Sequence, residues 1–352
     1  MLTFHPLELV SRRPVAEDAF CLEFRPPAGL DDAYRFEPGQ HLAVRATIGG
    51  RELRRTYSIV SPAGGNLKIG VRVQGEMSRY LASDLAVGAT LEALAPTGRF
   101  KAAPVANQSR SYVALAAGSG ITPILSIVAT LLAAEPASRV LVIYGNRSST
   151  RAMFLEELYA LKNRYLDRLT LQFLMSQESQ DVDLFNGRLD AGRLRELART
   201  EFDVSRVDEY FICGPGSMVA ELTATLRDLG ATGKIHSERF SVTAPTATRT
   251  AAAASTGAMS GTEAVVTMDG RRRTFRVNNG STLLEAAEEA GLSLPYSCRA
   301  GVCSTCRAKI VEGTVAIDRN QALEDWELRA GFVLCCQARP TSDRVEISYD
   351  EK

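Results

Sequence analysis

The chain lacks an excess of charge of either sign: 41 lysines and arginines face 41 aspartates and glutamates across 352 residues. Balance also holds on either side of residue 261, with 29 basic and 27 acidic residues up to it and 12 and 14 after it. A nucleic-acid footprint is therefore absent, and no nucleic-acid partner is expected. The start, Met1-Leu2-Thr3-Phe4-His5-Pro6, lacks the basic region and apolar run of a secretory signal, so a cytoplasmic location is expected. No internal repeat is present. Residues 111–134 carry no charge and are long enough to span a membrane. Gly118-Ser119-Gly120-Ile121-Thr122-Pro123 interrupts them and reads as a turn from strand to helix, so no membrane partner is expected either. With 45% hydrophobic and 23% charged residues, the composition is that of a folded globular chain, which excludes wholesale disorder.

Cysteine is scarce until the end. Only Cys21 and Cys213 occupy the first 297 residues, whereas Cys298, Cys303, Cys306, Cys335 and Cys336 fall within 39. An odd, clustered set without a secretion signal argues for metal ligation over disulfides. Large apolar residues are missing from 243–261 apart from Met259, so this Ala/Thr/Ser-rich stretch cannot bury a core and reads as a linker. It sets off a small domain at 262–352. That domain opens with a predicted hairpin, 264–268 and 273–277, around Asp269-Gly270. A predicted helix at 283–290 follows, capped by Thr282 and closed by Gly291.

Residues 1–101 are strand-like, with frequent glycine and proline, and predict a barrel or sandwich with strands at 57–60, 68–73 and 90–95. From residue 111 the texture alternates. Strands are predicted at 112–116, 140–144, 169–174 and 209–213, and helices at 123–134, 153–164, 191–197 and 217–229. This is the rhythm of a doubly wound α/β sheet.

Three patterns carry chemistry. Cys298-x4-Cys303-x2-Cys306 has the plant-type [2Fe–2S] spacing, with Cys335 or Cys336 to supply the fourth ligand. Zinc sites more often use paired Cys-x2-Cys elements, and only one such pair is present. Gly301 lets the backbone wrap closely and turn its N–H groups toward sulfide. Gly118, Ser119, Gly120, Thr122 and Pro123 lie between a predicted strand and helix, the context that a pyrophosphate-binding turn requires. A second such turn, Cys213-Gly214-Pro215-Gly216-Ser217-Met218, leaves the same edge of the sheet. In the first domain Arg55 and Tyr57 alternate onto one face of a strand with Thr56 and Ser58 between and after them, an arrangement that a flavin phosphate and ring would explain.

Together these motifs resemble the ferredoxin-NADP⁺ reductase superfamily in its version with a plant-type ferredoxin fused at the C-terminus. The resemblance implies an antiparallel β-barrel flavin domain (1–103), an α/β doubly wound NAD(P)-binding domain (104–242), the linker and an α+β, β-grasp ferredoxin domain (262–352). It places Arg55 on a flavin phosphate, Tyr57 against the isoalloxazine, Ser58 on the ring, and Gly75, Met77 and Ser78 in a phosphate-binding turn. It also places Cys213 beside the nicotinamide, with Glu238 near the flavin. The segment Leu334-Cys335-Cys336-Gln337-Ala338 implies that Cys336, two residues before an alanine, is the fourth ligand. Phe4-His5-Pro6-Leu7, Tyr34-Arg35-Phe36-Glu37-Pro38-Gly39-Gln40-His41 and Ile235-His236-Ser237-Glu238-Arg239-Phe240 are similar to the reductase subunits of phenylacetyl-CoA 1,2-epoxidases, bacterial multicomponent monooxygenases. That likeness implies FAD, NADPH and a di-iron oxygenase acceptor. The neighbouring phthalate dioxygenase reductase type would instead use FMN and NADH. An electron-carrier subunit without a working nicotinamide site is a further alternative, against which the intact glycines of both turns count.

After residues 140–144 come Gly145-Asn146-Arg147-Ser148, with no acid to bond an adenosine 2′-hydroxyl. Arg147 suits a 2′-phosphate, and with Asn146 it completes the expected nucleotide contacts.

Overall fold

Six antiparallel strands of the first hundred residues close on themselves. The structure, a computed structural model, describes residues 3–240 and 261–351, so nearly all of the expected linker lies outside the described residues. β1 (His5–Ala16), β2 (Ala19–Arg25), β3 (His41–Ile48), β4 (Arg51–Ser58), β5 (Leu67–Arg72) and β6 (Thr90–Ala93) run in the order β4-β3-β6-β1-β2-β5. An antiparallel bridge between Ile59 and Ile69 joins the two ends of that row and makes a barrel. Gly49 and Gly50 connect β3 to β4 with φ of 57° and 76°, the left-handed pair that a two-residue hairpin turn needs. Leu7, Leu42, Val44 and Ile69 fill the interior. The short α1 (Glu76–Arg79) and a π turn at Tyr80–Asp84 interrupt the strands. Nothing in the sequence predicts them, because a single turn carries no helical period.

The second part of the same compact unit is a parallel sheet. β7 (Ser111–Ala117), α2 (Ile121–Ala134), β8 (Arg139–Asn146), α3 (Leu155–Arg164), β9 (Leu169–Met175), α4 (Ala191–Thr200), β10 (Glu209–Pro215), α5 (Gly216–Asp228) and β11 (Lys234–Phe240) alternate along the chain. The strand order is β11-β10-β7-β8-β9, so the winding reverses between β7 and β10. Ligands of such sheets bind in the crevice beyond the carboxyl ends of the strands at that reversal. α2 is buried on nearly every face, sharing one core cluster with Val60 and Phe100 of the barrel side and Tyr144 and Phe211 of the sheet. That two-sided burial is why 111–134 is apolar all round. Among the described residues no helix is long and apolar enough to cross a membrane. α3 starts two residues later than its pattern predicts because Phe154 adopts φ 61° just before it.

Barrel and sheet are joined by polar contacts as well. Asp18 pairs with Arg72 (2.6 Å) and Arg151, and Arg72 also donates to the Arg151 carbonyl (2.7 Å). The Arg72 side chain is only 9% exposed. Asp18→Ala strands that guanidinium with a single acceptor and is expected to destabilise the unit by roughly 3 kcal/mol. A denaturant melt with an unshifted midpoint would contradict this.

The remainder forms a separate unit. β12 (Thr262–Met268) and β13 (Arg271–Val277) form a hairpin whose turn, Asp269-Gly270, has φ of 53° and 69°. α6 (Leu283–Glu289) begins with the Thr282/Glu285 capping box. β14 (Arg307–Glu312), β15 (Val315–Ile317), α7 (Asp325–Arg329), β16 (Phe332–Leu334), β17 (Ala338–Pro340) and β18 (Arg344–Ser348) complete it. A five-stranded sheet, β13-β12-β18-β14-β16, packs under α6, and the cysteine loop lies between α6 and β14.

Candidate cofactor and electron-transfer sites

On β4 the exposed Arg55 shares a face with Tyr57, while Ser58 is buried opposite His41 of β3 and Thr56 is half-buried. Arg55 donates to the Arg54 carbonyl (2.7 Å) and is paired with no acid among the described residues. Burial raises the Tyr57 hydroxyl far above its ordinary value, so it stays neutral. The turn before α1 is organised by Ser78, whose hydroxyl accepts the N–H groups of Gln74 (2.9 Å) and Gly75 (2.8 Å) and donates to the Gly75 carbonyl. Met77 points into the barrel core. Arg51 reaches Glu76 (3.1 Å), tying the arginine strand to this turn.

The two glycine turns meet at the reversal of the sheet. Gly118 has φ 54°, and its carbonyl accepts the Tyr144 hydroxyl (2.9 Å). Gly120 abuts the backbone of Cys213 and Gly214 so closely that a Cβ would overlap the Cys213 carbonyl. The glycine spacing thus serves the packing of one turn on the other. Thr122 bonds the Ser119 carbonyl (2.9 Å) and lies against Gly70 of the barrel, and Pro123 is buried in the first turn of α2. Pro215 precedes α5, Gly216 begins it, and Met218 covers Gly214.

Parallel pairing sets Cys213 of β10 beside Glu238 of β11, with Sγ 3.9 Å from Oε2. Cys213 is fully buried, and burial raises its thiol well above the ordinary range, so it is no nucleophile. Burial also pushes Glu238 up to about 8. The other oxygen of Glu238 lies 3.9 Å from His41 Nδ1, contributed by the barrel, and burial lowers that imidazole to about 4. His41 was not among the residues expected from the sequence. It is separated from Glu238 by almost two hundred positions, and only its place in a Pro-Gly-Gln-His segment marks it.

At the end of β8, Asn146 is half-buried and Arg147 is exposed, and Arg147 has no acidic partner among the described residues. Their carbonyls accept Ser176 and Gln177 N–H from the loop after β9. That loop also brings Glu178 onto Ser149, whose N–H (2.7 Å) and hydroxyl (2.8 Å) hold the carboxylate and lower it from its ordinary value. An acid therefore stands near the Arg147 loop although none follows β8 in sequence, because the neighbouring strand supplies it.

In the second unit the cysteine loop bends through left-handed residues Arg299 (φ 52°), Gly301 (φ 73°) and Ser304 (φ 52°). A Cβ on Gly301 would lie 2.6 Å from the Arg319 carbonyl. Cys298 and Cys303 are neighbouring thiols, and Cys306 and Cys336 are another such pair. With Cys303 at its side, and with the surrounding backbone N–H groups led by Ala300 (3.4 Å), Cys298 is lowered to about 5. Cys336 is lowered by Cys306 and by the Gly301 N–H. Cys335 instead faces the Tyr349 hydroxyl inside the core, and burial pushes it up to about 12. Among the described residues no three ligand side chains converge on one point, as a mononuclear metal would need. Two thiol pairs ringed by N–H donors fit a binuclear iron–sulfur cluster, with one pair for each iron.

A barrel with an arginine–tyrosine strand, a dinucleotide sheet and a module with two thiol pairs define the class: an NAD(P)H-dependent electron-transfer reductase. Three family models match: an oxidoreductase FAD-binding domain over residues 6–102, an oxidoreductase NAD-binding domain over 114–223 and a 2Fe-2S iron-sulfur cluster binding domain over 266–341. One component of the 1,2-phenylacetyl-CoA epoxidase of Escherichia coli is 41% identical over 100% of this chain and 99% of its own. The ferredoxin reductase component of a 3-ketosteroid-9-alpha-monooxygenase from Mycobacterium tuberculosis is 33% identical over 99% of this chain and 97% of its own. Phthalate dioxygenase reductase shares the fold, with a TM-score of 0.56 and 23% identity over 98% of both chains. The chain belongs to the ferredoxin-NADP⁺ reductase superfamily, in the branch with a C-terminal plant-type ferredoxin domain. It is an oxidoreductase that uses FAD, NAD(P)H and a [2Fe–2S] cluster.

Proposed function

We propose that this cytoplasmic reductase takes electrons from NADPH and delivers them to the di-iron oxygenase of a phenylacetyl-CoA 1,2-epoxidase in aerobic phenylacetate breakdown. The observation that carries this reading is the 41% identity, across both whole chains, to a component of such an epoxidase. Flavin (residues 1–103), nicotinamide (104–242) and cluster (262–352) modules, joined by the linker 243–261, are its working parts.

When bound, FAD and the cluster turn one two-electron hydride into two single-electron transfers. The chain's own residues supply position and charge. Arg55 neutralises a flavin phosphate, while Tyr57, neutral and half-buried, offers its ring to the isoalloxazine and Ser58 a hydroxyl to its edge. Thr56 keeps the strand in register. Gly75 and Ser78 turn the backbone toward the phosphates, and Met77 anchors that turn in the barrel core. Gly118, Ser119, Gly120, Thr122 and Pro123 bring a helix start against the dinucleotide phosphates. Gly214, Pro215, Gly216 and Met218 close the other wall. Cys213 and Glu238 exclude water where the nicotinamide lies, adding no net charge there at neutral pH. Cys298, Cys303, Cys306 and Cys336 hold the cluster.

Asn146 and Arg147 receive the adenosine end. Arg147→Ala is expected to raise KM for NADPH by about tenfold to a hundredfold, the worth of a charge-assisted phosphate contact, and to change NADH far less. Equal losses for the two nucleotides would contradict the assignment of Arg147. The partner is tested by reconstitution. NADPH oxidation coupled to epoxide formation with a purified di-iron epoxidase and phenylacetyl-CoA is the expected result, and oxidation that never couples would overturn it.

A further inference from the structure

Each NAD(P)H that becomes NAD(P)⁺ leaves behind one proton and two electrons. The electrons depart singly toward the cluster, so for every nicotinamide oxidised one proton has to reach bulk water. Cys213 is fully buried, and the Glu238 side chain beside it is only 15% exposed. A route out therefore needs further groups, and the barrel supplies them.

His41 is 3% exposed and presents its two ring nitrogens to different neighbours. Nδ1 lies 3.9 Å from Glu238 Oε1, and Nε2 lies 3.5 Å from the Thr97 hydroxyl. Thr97 is half-buried at the barrel rim, where its backbone pairs with that of His41. Gly98 keeps the Nδ1 side clear, since a Cβ there would stand 3.0 Å from that nitrogen. The groups thus follow one another as Cys213, Glu238, His41 and Thr97, from a fully buried thiol to a half-buried hydroxyl. Spacings of this size tighten by a rotamer adjustment when substrate fills a site.

We propose that His41 is the proton carrier that connects Glu238 to the barrel rim. Glu238 gives its proton to Nδ1, and the imidazole releases the proton on Nε2 toward Thr97 and water. One proton enters and one leaves, so the ring returns to neutrality as the other tautomer; Glu238 regains a proton from the one that nicotinamide oxidation leaves behind, and a turn of the imidazole about its Cβ–Cγ bond resets the ring for the next. At neutral pH Glu238 holds its proton and His41 is the weaker base, so the proton rests on the carboxyl and crosses the imidazole only in passing.

The inference rests on the proposed reading of Cys213 and Glu238, and the test separates the two. In the oxidised full-length holoenzyme, transfer into D₂O is followed by the infrared band of the protonated Glu238 carboxyl, assigned by its loss in Glu238→Gln. His41→Leu is expected to slow deuterium exchange at that carboxyl by about 100-fold. With ferricyanide as electron acceptor, proton release read by a pH indicator should then lag NAD(P)H oxidation, whereas the two coincide in the unaltered enzyme. Thr97→Val, a smaller change at a half-buried site, is expected to slow exchange in the same direction and serves if His41→Leu does not fold. Imidazole added to His41→Ala should restore part of the rate. Exchange as fast in His41→Leu or Thr97→Val as in the unaltered protein would overturn the relay. If NAD(P)H-driven flavin reduction were also unchanged in Glu238→Gln, the reading of the site itself would fall with it.

Discussion

Cys336→Ser is expected to lose most of its iron and sulfide, whereas Cys335→Ser is expected to keep both and remain brown. The two residues are neighbours in sequence and are both buried, so burial does not separate them. Their surroundings do. Cys336 faces Cys306 and the Gly301 N–H, which favour its thiolate. Cys335 faces Tyr349 within the core, where burial outweighs what the Tyr349 hydroxyl and the backbone N–H of Cys335 itself offer its thiolate. A cluster ligand has to be a thiolate, and a serine oxygen is a poor substitute for soft sulfur. Iron and acid-labile sulfide analysis of the two purified variants decides the matter. Equal cluster content in both would refute the assignment of Cys336.

Gly120→Ala is expected to remove NAD(P)H-driven flavin reduction almost entirely while leaving the flavin and the cluster in place. The added methyl would overlap the Cys213 carbonyl, part of a backbone segment that cannot rotate aside. The two nucleotide turns must then separate, at a cost of about 1–3 kcal/mol in folding stability. A small misplacement of the reacting carbon is enough to cost orders of magnitude in rate. Stopped-flow reduction beside a thermal melt tests both halves. A variant reduced as fast as the unaltered enzyme would show that the tight contact between the turns is dispensable.

Much of this architecture was legible before the fold was seen, and for local reasons. Cysteine spacing encodes a loop that ligates metal. Glycines between a strand and a helix mark the turns at the carboxyl edge of the sheet, while the alanine- and threonine-rich run read as a linker lies almost wholly outside the described residues. The ambiguous run at 111–134 was resolved by the glycine turn within it, yet the reason for its apolarity lies in three dimensions. α2 is packed between the barrel and the sheet, a circumstance that no window along the chain can reveal. The one-turn α1 and the left-handed Phe154 escaped because each is an effect of tertiary context at one or two residues. His41 and Glu178 escaped for a different reason. Each belongs to a site whose other members come from distant strands, and register, not spacing, brings them there.

The central claim is a conversion of two electrons to one through three modules in a single chain. Its most direct test is anaerobic stopped-flow reduction by NADPH and by NADH in parallel, following flavin and cluster absorbance separately. The account predicts that the flavin bleaches first, that the cluster follows, and that NADPH acts faster than NADH. A brown, flavin-containing protein that neither nucleotide reduces would contradict it and would leave a carrier that depends on another reductase.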